Sequence, residues 1–252
     1  MSLIVTAHRM RHLDEALHSV NEQTTSEAEL ILVADLSGEH GVQATMERFA
    51  RHWRRAGARA HVISARGGSA GRVRNAGAQC ATSPWITYLD GDDVLAPAAL
   101  ATMTEKCATD EADILSSGLW HIIDGRTIDV PESCKYRPHQ GLYLHDPEMT
   151  QEAVYLHQLL AIRRSLWLGY RWSENGGEDL DFILHQLLAG RFRKIAQPLY
   201  GHRRVPDGYS ERGRRQSGQV CDCGTAQRYR SGYYRNLLET RLTTFGRENL
   251  EM

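Results

Sequence analysis

An α/β fold is what this sequence predicts, a mostly parallel sheet covered by helices within a single domain. Three observations carry that prediction. Short apolar runs alternate with amphipathic segments from the N-terminus to about residue 110. Most of these runs end on polar or charged residues, as expected where ligands sit at the carboxyl ends of parallel strands. The chain of 252 residues is 41% hydrophobic, enough to bury a sizeable core.

Taken in order, Leu3-Ile4-Val5-Thr6 reads as a buried strand, and Leu13, Ala16, Leu17 and Val20 fall on one helical face. Leu30-Ile31-Leu32-Val33 is a second strand, stopped by Ala34-Asp35-Leu36-Ser37-Gly38. A helix carrying Val42, Met46, Phe49 and Trp53 follows. His61-Val62-Ile63 is a third strand, ending in the loop Arg66-Gly67-Gly68-Ser69, and Ala70 to Cys80 suits a helix. Trp85 to Leu89 is a fourth strand that runs directly into Asp90-Gly91-Asp92-Asp93. Pro97 marks the first turn of another helix. Beyond it the alternation loosens. Ile114 to Leu119 reads as a strand, His121 to Val130 as a hairpin broken at Asp124-Gly125, and 131–150 as a long loop with three prolines. Leu159 to Ile162 suits a strand, Glu178 to Leu188 a helix, 203–224 a mobile loop rich in Gly, Arg and Ser, and Ala226 to Phe245 a terminal helix.

Composition narrows the class. There is no apolar run of about 18 residues and hence no membrane span. The N-terminus lacks the parts of a signal peptide, so a soluble, cytoplasmic protein is expected. Five cysteines at irregular spacing argue against a disulfide framework, and the close pair Cys221 and Cys223 lacks the second pair of a zinc site. A net charge of -1 implies no nucleic acid partner. Acids gather mid-chain and arginines near the C-terminus, an arrangement suited to a metal on one side and an anion on the other.

The chemistry concentrates at the strand ends: Thr6-Ala7-His8, Asp35-Leu36-Ser37, Arg66 to Gly71, and Asp90 to Asp93. Three carboxylates within four residues repel one another, and a hard divalent cation relieves that repulsion. Two acids are too few for a full cage, so water and substrate phosphates would complete the shell. Asp93 is read either as a cap for the following helix or as facing an acceptor. Two rival motifs fail. The aspartyl phosphatase motif continues Asp-x-Asp with Gly-Thr, whereas Asp93-Val94 stands here. The glycines at 67, 68 and 71 do not match the dinucleotide spacing.

An ordered set of segments resembles family-2 glycosyltransferases of the GT-A fold. They are Thr6-Ala7-His8-Arg9, Leu13 to Val20, Ala34-Asp35-Leu36-Ser37, Val73-Arg74-Asn75-Ala76-Gly77, Leu89 to Asp93, and Gly177-Glu178-Asp179-Leu180-Asp181, within roughly residues 3–210. The resemblance implies one GT-A domain over 1–252, with a Rossmann-like sheet. Residues about 1–110 would bind the nucleotide sugar, about 111–200 would form a smaller acceptor and catalytic subregion, and about 201–252 the mobile loop and last helix.

It also implies a nucleoside-diphosphate sugar donor, transfer to an acceptor hydroxyl (saccharide, lipid-linked or natural-product), and inversion at the anomeric carbon. Asp35 would contact the base, with Thr6 and His8 beside that pocket. Asp90 would contact the ribose region and share a Mn²⁺ or Mg²⁺ with Asp92. Asp179, next to Glu178, would be the general base. Arg74 would line the donor pocket. His202, and more weakly Arg203, would touch the diphosphate or metal. Departures at Thr6, His8, Ala34 and Leu36 leave the base open among uridine, thymidine and guanosine, with UDP the default. Trp120, His121, Tyr155, Trp167 and Trp172 are candidates to stack on a sugar or to fill a core. A lipid-delivered acceptor would require peripheral membrane contact. Two other classes compete. One is a non-catalytic nucleotide-sugar-binding module, against which the intact Asp179 argues. The other is a nucleotidyltransferase, whose signature loop is missing from Met1 to Arg11.

Overall fold

A computed structural model of the chain describes residues 1–25, 27–123, 125–129, 160–172, 182, 185, 186 and 189–204. The elements, in chain order, are β1 (Ser2–Ala7), α1 (Leu13–Asn21), β2 (Glu29–Asp35), α2 (Val42–Arg55), β3 (Ala60–Ala65), α3 (Ala70–Cys80), β4 (Trp85–Asp90), β5 (Val94–Leu95) and α4 (Ala99–Thr109). They continue with β6 (Ile114–Ile123), β7 (Arg126–Asp129), β8 (Leu160–Arg163), α5 (Arg164–Gly169) and β9 (Phe192–Arg204). The strands form one sheet in the order β3-β2-β1-β4-β8-β6-β9-β5, with β7 paired to β6.

The first four strands are parallel. Ser2 to Ala7 of β1 pairs with Glu29 to Ala34 of β2, and Ser2 to Thr6 with Ile86 to Asp90 of β4. Every residue of β1 is buried, because helices cover both faces. Leu3, Val5 and Ala7 join a core with Leu13, Leu17, Met46 and Trp53 of α1 and α2. Ile4 points the other way, into a cluster with Val73 of α3 and Trp167 of α5. In α3 the chain approaches the sheet through Gly77, where a Cβ would come within 2.4 Å of Ile4 Cγ2 and 2.9 Å of Val33 Cγ2. The common register brings Ala7, Asp35, Ala65 and Asp90 to one end of the sheet.

The second half is mixed. β8 lies antiparallel between β4 and β6, β9 runs parallel to β6, and β5 closes the order antiparallel to β9. The expected hairpin forms between β6 and β7, with Gly125 at φ +74° in its turn. Three features differ from the sequence expectation or were not part of it. The helix expected to open at Pro97 begins two residues later, at Ala99, with Pro97 and Ala98 in a turn between the short strand β5 and the helix. Apolar Leu166 and Trp167 belong to a short helix, α5. Residues 192–204, for most of which the sequence predicts no element, form the longest strand described. Its register against β6 shifts between Ser117, Gly118 and Leu119, and Pro198 sits at that irregularity, where no ladder N–H is required. Arg203 and Arg204, expected to start a mobile loop, end this strand. The long loop 131–150, the loop beyond 204 and the terminal helix lie outside the described residues. Of the helix expected over 178–188, the described Phe182, His185 and Gln186 are helical. Among the described residues no helix is long and apolar enough to cross a membrane.

Candidate active site

The acid loop leaves β4 through a tight approach to β1. Gly91 N–H donates to the Thr6 carbonyl at 2.7 Å, and a Cβ at Gly91 would meet Ala7 Cβ at 2.6 Å. A glycine is therefore required between the acids by crowding against the neighbouring strand. The three carboxylates then part company.

Asp90 is neutralised from within. The Arg74 guanidinium donates to Oδ1 at 3.0 Å and Oδ2 at 2.9 Å, and Thr6 Oγ1 donates to Oδ1 at 3.2 Å. Arg74 is itself buried, with its Cζ 4.6 Å above the Trp172 ring. The adjacent Asn75 fixes that ring: Trp172 N–H donates to Asn75 Oδ1 at 3.0 Å, Asn75 Nδ2 donates to the Trp172 carbonyl at 2.8 Å, and Trp167 Nε1 donates to Oδ1 at 3.3 Å. Within Val73-Arg74-Asn75-Ala76-Gly77, one residue holds an acid, one holds the tryptophan segment, and the glycine seats the helix on the sheet. Trp167 and Trp172 are buried, so they fill the core and are not sugar-stacking platforms. Tyr155 lies outside the described residues.

Asp93 is buried at 2% exposure and joins the acid loop to β9. It accepts from Tyr200 Oη at 2.6 Å and from Arg203 N–H at 2.7 Å. It does not cap α4, whose N-cap Ala98 makes no side-chain hydrogen bond; its carboxylate turns to Tyr200 and Arg203 instead. Burial raises its carboxyl well above the usual range, helped by the charges of Asp92 and Asp90.

Asp92 is the acid left for a ligand. It is half-buried, and no hydrogen bond from another described residue reaches its carboxylate. Burial raises its pKa and the Asp90 charge raises it further, while His8 and His12 pull it down. A divalent cation would relieve both penalties. Among the described residues no three His, Cys, Asp or Glu side chains group as a metal cage. The arrangement fits a hard cation that takes one protein carboxylate and completes its shell from a bound diphosphate and water.

The other predicted residues surround this point. Asp35 ends β2, and its Oδ1 accepts from Ser37 N–H at 2.8 Å, Ser37 Oγ at 2.7 Å and Gly67 N–H at 3.0 Å. A Cβ at Gly67 would overlap that carboxylate at 2.1 Å, so the glycine lets the loop after β3 close on Asp35. Exposed Leu36 stands beside it. His8 is exposed at the end of β1, and its carbonyl accepts from Glu39 N–H at 2.7 Å. His202 pairs across the β6–β9 ladder with His121, their Nδ1 atoms 3.4 Å apart. Thr6, Arg74 and Asp90 are thus in direct contact, while Asp35 sits two strands away. Asp179 and Glu178 lie outside the described residues. Tyr200 and Glu15 were not foreseen. The sequence signal for Tyr200 was its place in an apolar Leu199-Tyr200 pair, masked by the nearby proline.

With this geometry in hand, comparisons with known proteins fall into place. Residues 2–168 match the family described as Glycosyl transferase family 2. The uncharacterized glycosyltransferase EpsJ of Bacillus subtilis (strain 168) is 27% identical over 173 residues, which is 68% of this chain. The matched stretch spans 46% of EpsJ, about half of that relative's length. The fold resembles S. aureus TarS 1–349 with a TM-score of 0.65 at 19% identity, covering 98% of this chain and 73% of that one. TarS 1–349 solved in complex with UDP-GlcNAc gives a TM-score of 0.65 at 19% identity, over 98% of this chain and 74% of that one.

Proposed function

The chain belongs to glycosyltransferase family 2, and on that premise we propose that it moves a sugar from a nucleoside-diphosphate donor, UDP-linked by preference, to an acceptor hydroxyl with inversion. The observation that carries this reading is the division of labour in the acid loop. Asp90 is held by Arg74, Asp93 by Tyr200 and Arg203, and Asp92 alone is left for a ligand at the carboxyl end of the sheet. The UDP-GlcNAc complex of a protein with this fold supports the choice of donor class.

Asp92 would hold Mn²⁺ or Mg²⁺, with Asp90 beside it facing the ribose through whichever edge Arg74 leaves open. The cation supplies Lewis-acid stabilisation of the charge that builds on the departing diphosphate. The remaining tasks fall to the chain. Asp35, fixed by Ser37 and Gly67, presents a carboxylate edge to the base, and Leu36 gives it an apolar wall. His202, next to Arg203 in β9, would contact the diphosphate. Asp179, in the motif Gly177 to Asp181, would take the acceptor proton, a role worth about 10²- to 10⁴-fold. Transfer passes through an oxocarbenium-like transition state, and inversion needs one carboxylate on the attacking face.

A thermal-shift screen of UDP, dTDP and GDP with and without Mn²⁺ tests this reading. Preferential binding to the folded state would raise Tm by several degrees for one nucleotide in the presence of Mn²⁺. No shift with any of them would contradict it. Asp179→Asn should retain the UDP-induced shift and lose turnover, measured as release of UDP from UDP-GlcNAc.

A further inference from the structure

Arg203 is exposed to only 8% in its side chain, near the end of β9 and beside the acid loop. Its guanidinium is already occupied. Nε donates to the Asp92 carbonyl at 2.8 Å, Nη2 donates to Glu15 Oε2 on α1, and its backbone N–H donates to Asp93 Oδ1 at 2.7 Å. Glu15 is in turn held by His12 Nδ1 at 2.8 Å. His12 adopts φ 66°, the left-handed region that a residue with a side chain takes only when its surroundings dictate it. Arg203, near the end of β9, therefore ties the start of α1 to the acid loop, where it holds the Asp92 carbonyl and the Asp93 carboxylate.

We propose that Glu15 and Arg203 are positioning residues that orient Asp92, with Arg203 acting as a clamp on the acid loop and not as a ligand of the diphosphate. This rests on Asp92 being the ligand of the metal–diphosphate group. The physical argument is that Arg203 fixes the Asp92 carbonyl from one side and the Asp93 carboxylate from another. The chain direction through Asp92 is then set, and with it the direction of the carboxylate. A planar guanidinium satisfies two acceptors at fixed angles, which an ammonium group does not. Glu15 restrains the fork by taking Nη2, and His12 restrains Glu15.

Calorimetric titration of the full chain with UDP, in the presence and absence of Mn²⁺, tests the clamp in the variants E15Q, R203K, E15Q/R203K and D92N. Residues coupled through one contact interact strongly, so E15Q and R203K should each weaken UDP binding in Mn²⁺ by about 10-fold, and the double variant no further. Binding of UDP without Mn²⁺ should stay at the wild-type level, which separates lost orientation of Asp92 from general damage to the fold. The Mn²⁺ concentration for half-maximal binding should rise in parallel. Wild-type binding by both E15Q and R203K would overturn the clamp, as would losses that multiply in the double variant or appear equally without metal. If R203K alone binds normally, the charge suffices and the clamp is likewise overturned. D92N separates the two readings. Lost Mn²⁺-dependent binding in D92N with normal binding in E15Q and R203K defeats the clamp alone, whereas normal binding in D92N defeats the reading of Asp92 and the clamp with it.

Discussion

Glu29 opens β2 at one end of the sheet, and Asp93 follows β4 at the other; their exposures are 1% and 2%. At Glu29, burial would raise the pKa, but hydrogen bonds from Ser2 Oγ, Thr82 N–H and Thr82 Oγ1 outweigh it and hold the carboxyl below its usual range. At Asp93, burial wins. Two donors, Tyr200 Oη and Arg203 N–H, are present, but Asp92 and Asp90 add like charge. A buried carboxylate thus stabilises one end of the sheet and sits among like charges at the other. The amino end pins β1, β2 and the entry to β4 together. The carboxyl end crowds negative charge that a cation would relieve, which is where a ligand site is expected in an open α/β sheet.

The largest effect that would separate the two ends is on activity. Asp92→Asn should lower turnover by roughly 10³-fold, since the loss of metal-held charge stabilisation amounts to several kcal/mol. Glu29→Gln should leave turnover per folded molecule at the wild-type level.

Stability should show the reverse. Glu29→Gln should cost about 2–3 kcal/mol at neutral pH by disrupting charge-assisted hydrogen bonds to a buried group, measured by urea unfolding. The sign with pH follows from its lowered folded pKa. Its contribution is present above the unfolded value of 4.5 and fades as pH falls through the folded one, so the gap between variant and wild type should close in acid. A gap that widens in acid would break the comparison.

At the carboxyl end, Tyr200→Phe should cost about 1.5–2 kcal/mol, because it removes a donor from Asp93 and leaves that acid buried with one partner fewer. The smallest effect is the most telling. Asp92→Asn should raise stability by about 0.5–1 kcal/mol, as removal of a functional like charge often does. Destabilisation there would mean that Asp92 serves the fold.

Much of the first half was legible because local signals agreed with tertiary ones. The run Leu3 to Val5 is buried on both faces, and the Asp90-Gly91-Asp92 turn announces itself by an acid cluster after an apolar strand. The roles within the cluster were less legible. Asp90 and Asp92 look alike in sequence, and what distinguishes them is Arg74, 16 residues away along the chain, with Thr6 of β1. Asp93 was read as a cap for the following helix or as facing an acceptor, whereas its partners Tyr200 and Arg203 come from a strand more than 100 residues later. That strand was hidden by Pro198, which a register shift accommodates. Glu15 carried no signal of its own, since an acid in the first turn of a helix is an ordinary dipole partner.

The central claim is that Asp92 is the acid kept for a metal-held nucleoside diphosphate. Calorimetric titration of wild type and Asp92→Asn with UDP, with and without Mn²⁺, tests it most directly. The account predicts that Mn²⁺ tightens UDP binding at least about 10-fold, a gain of about 1.4 kcal/mol, in the wild type and not in the variant. Equal tightening in both proteins would contradict it.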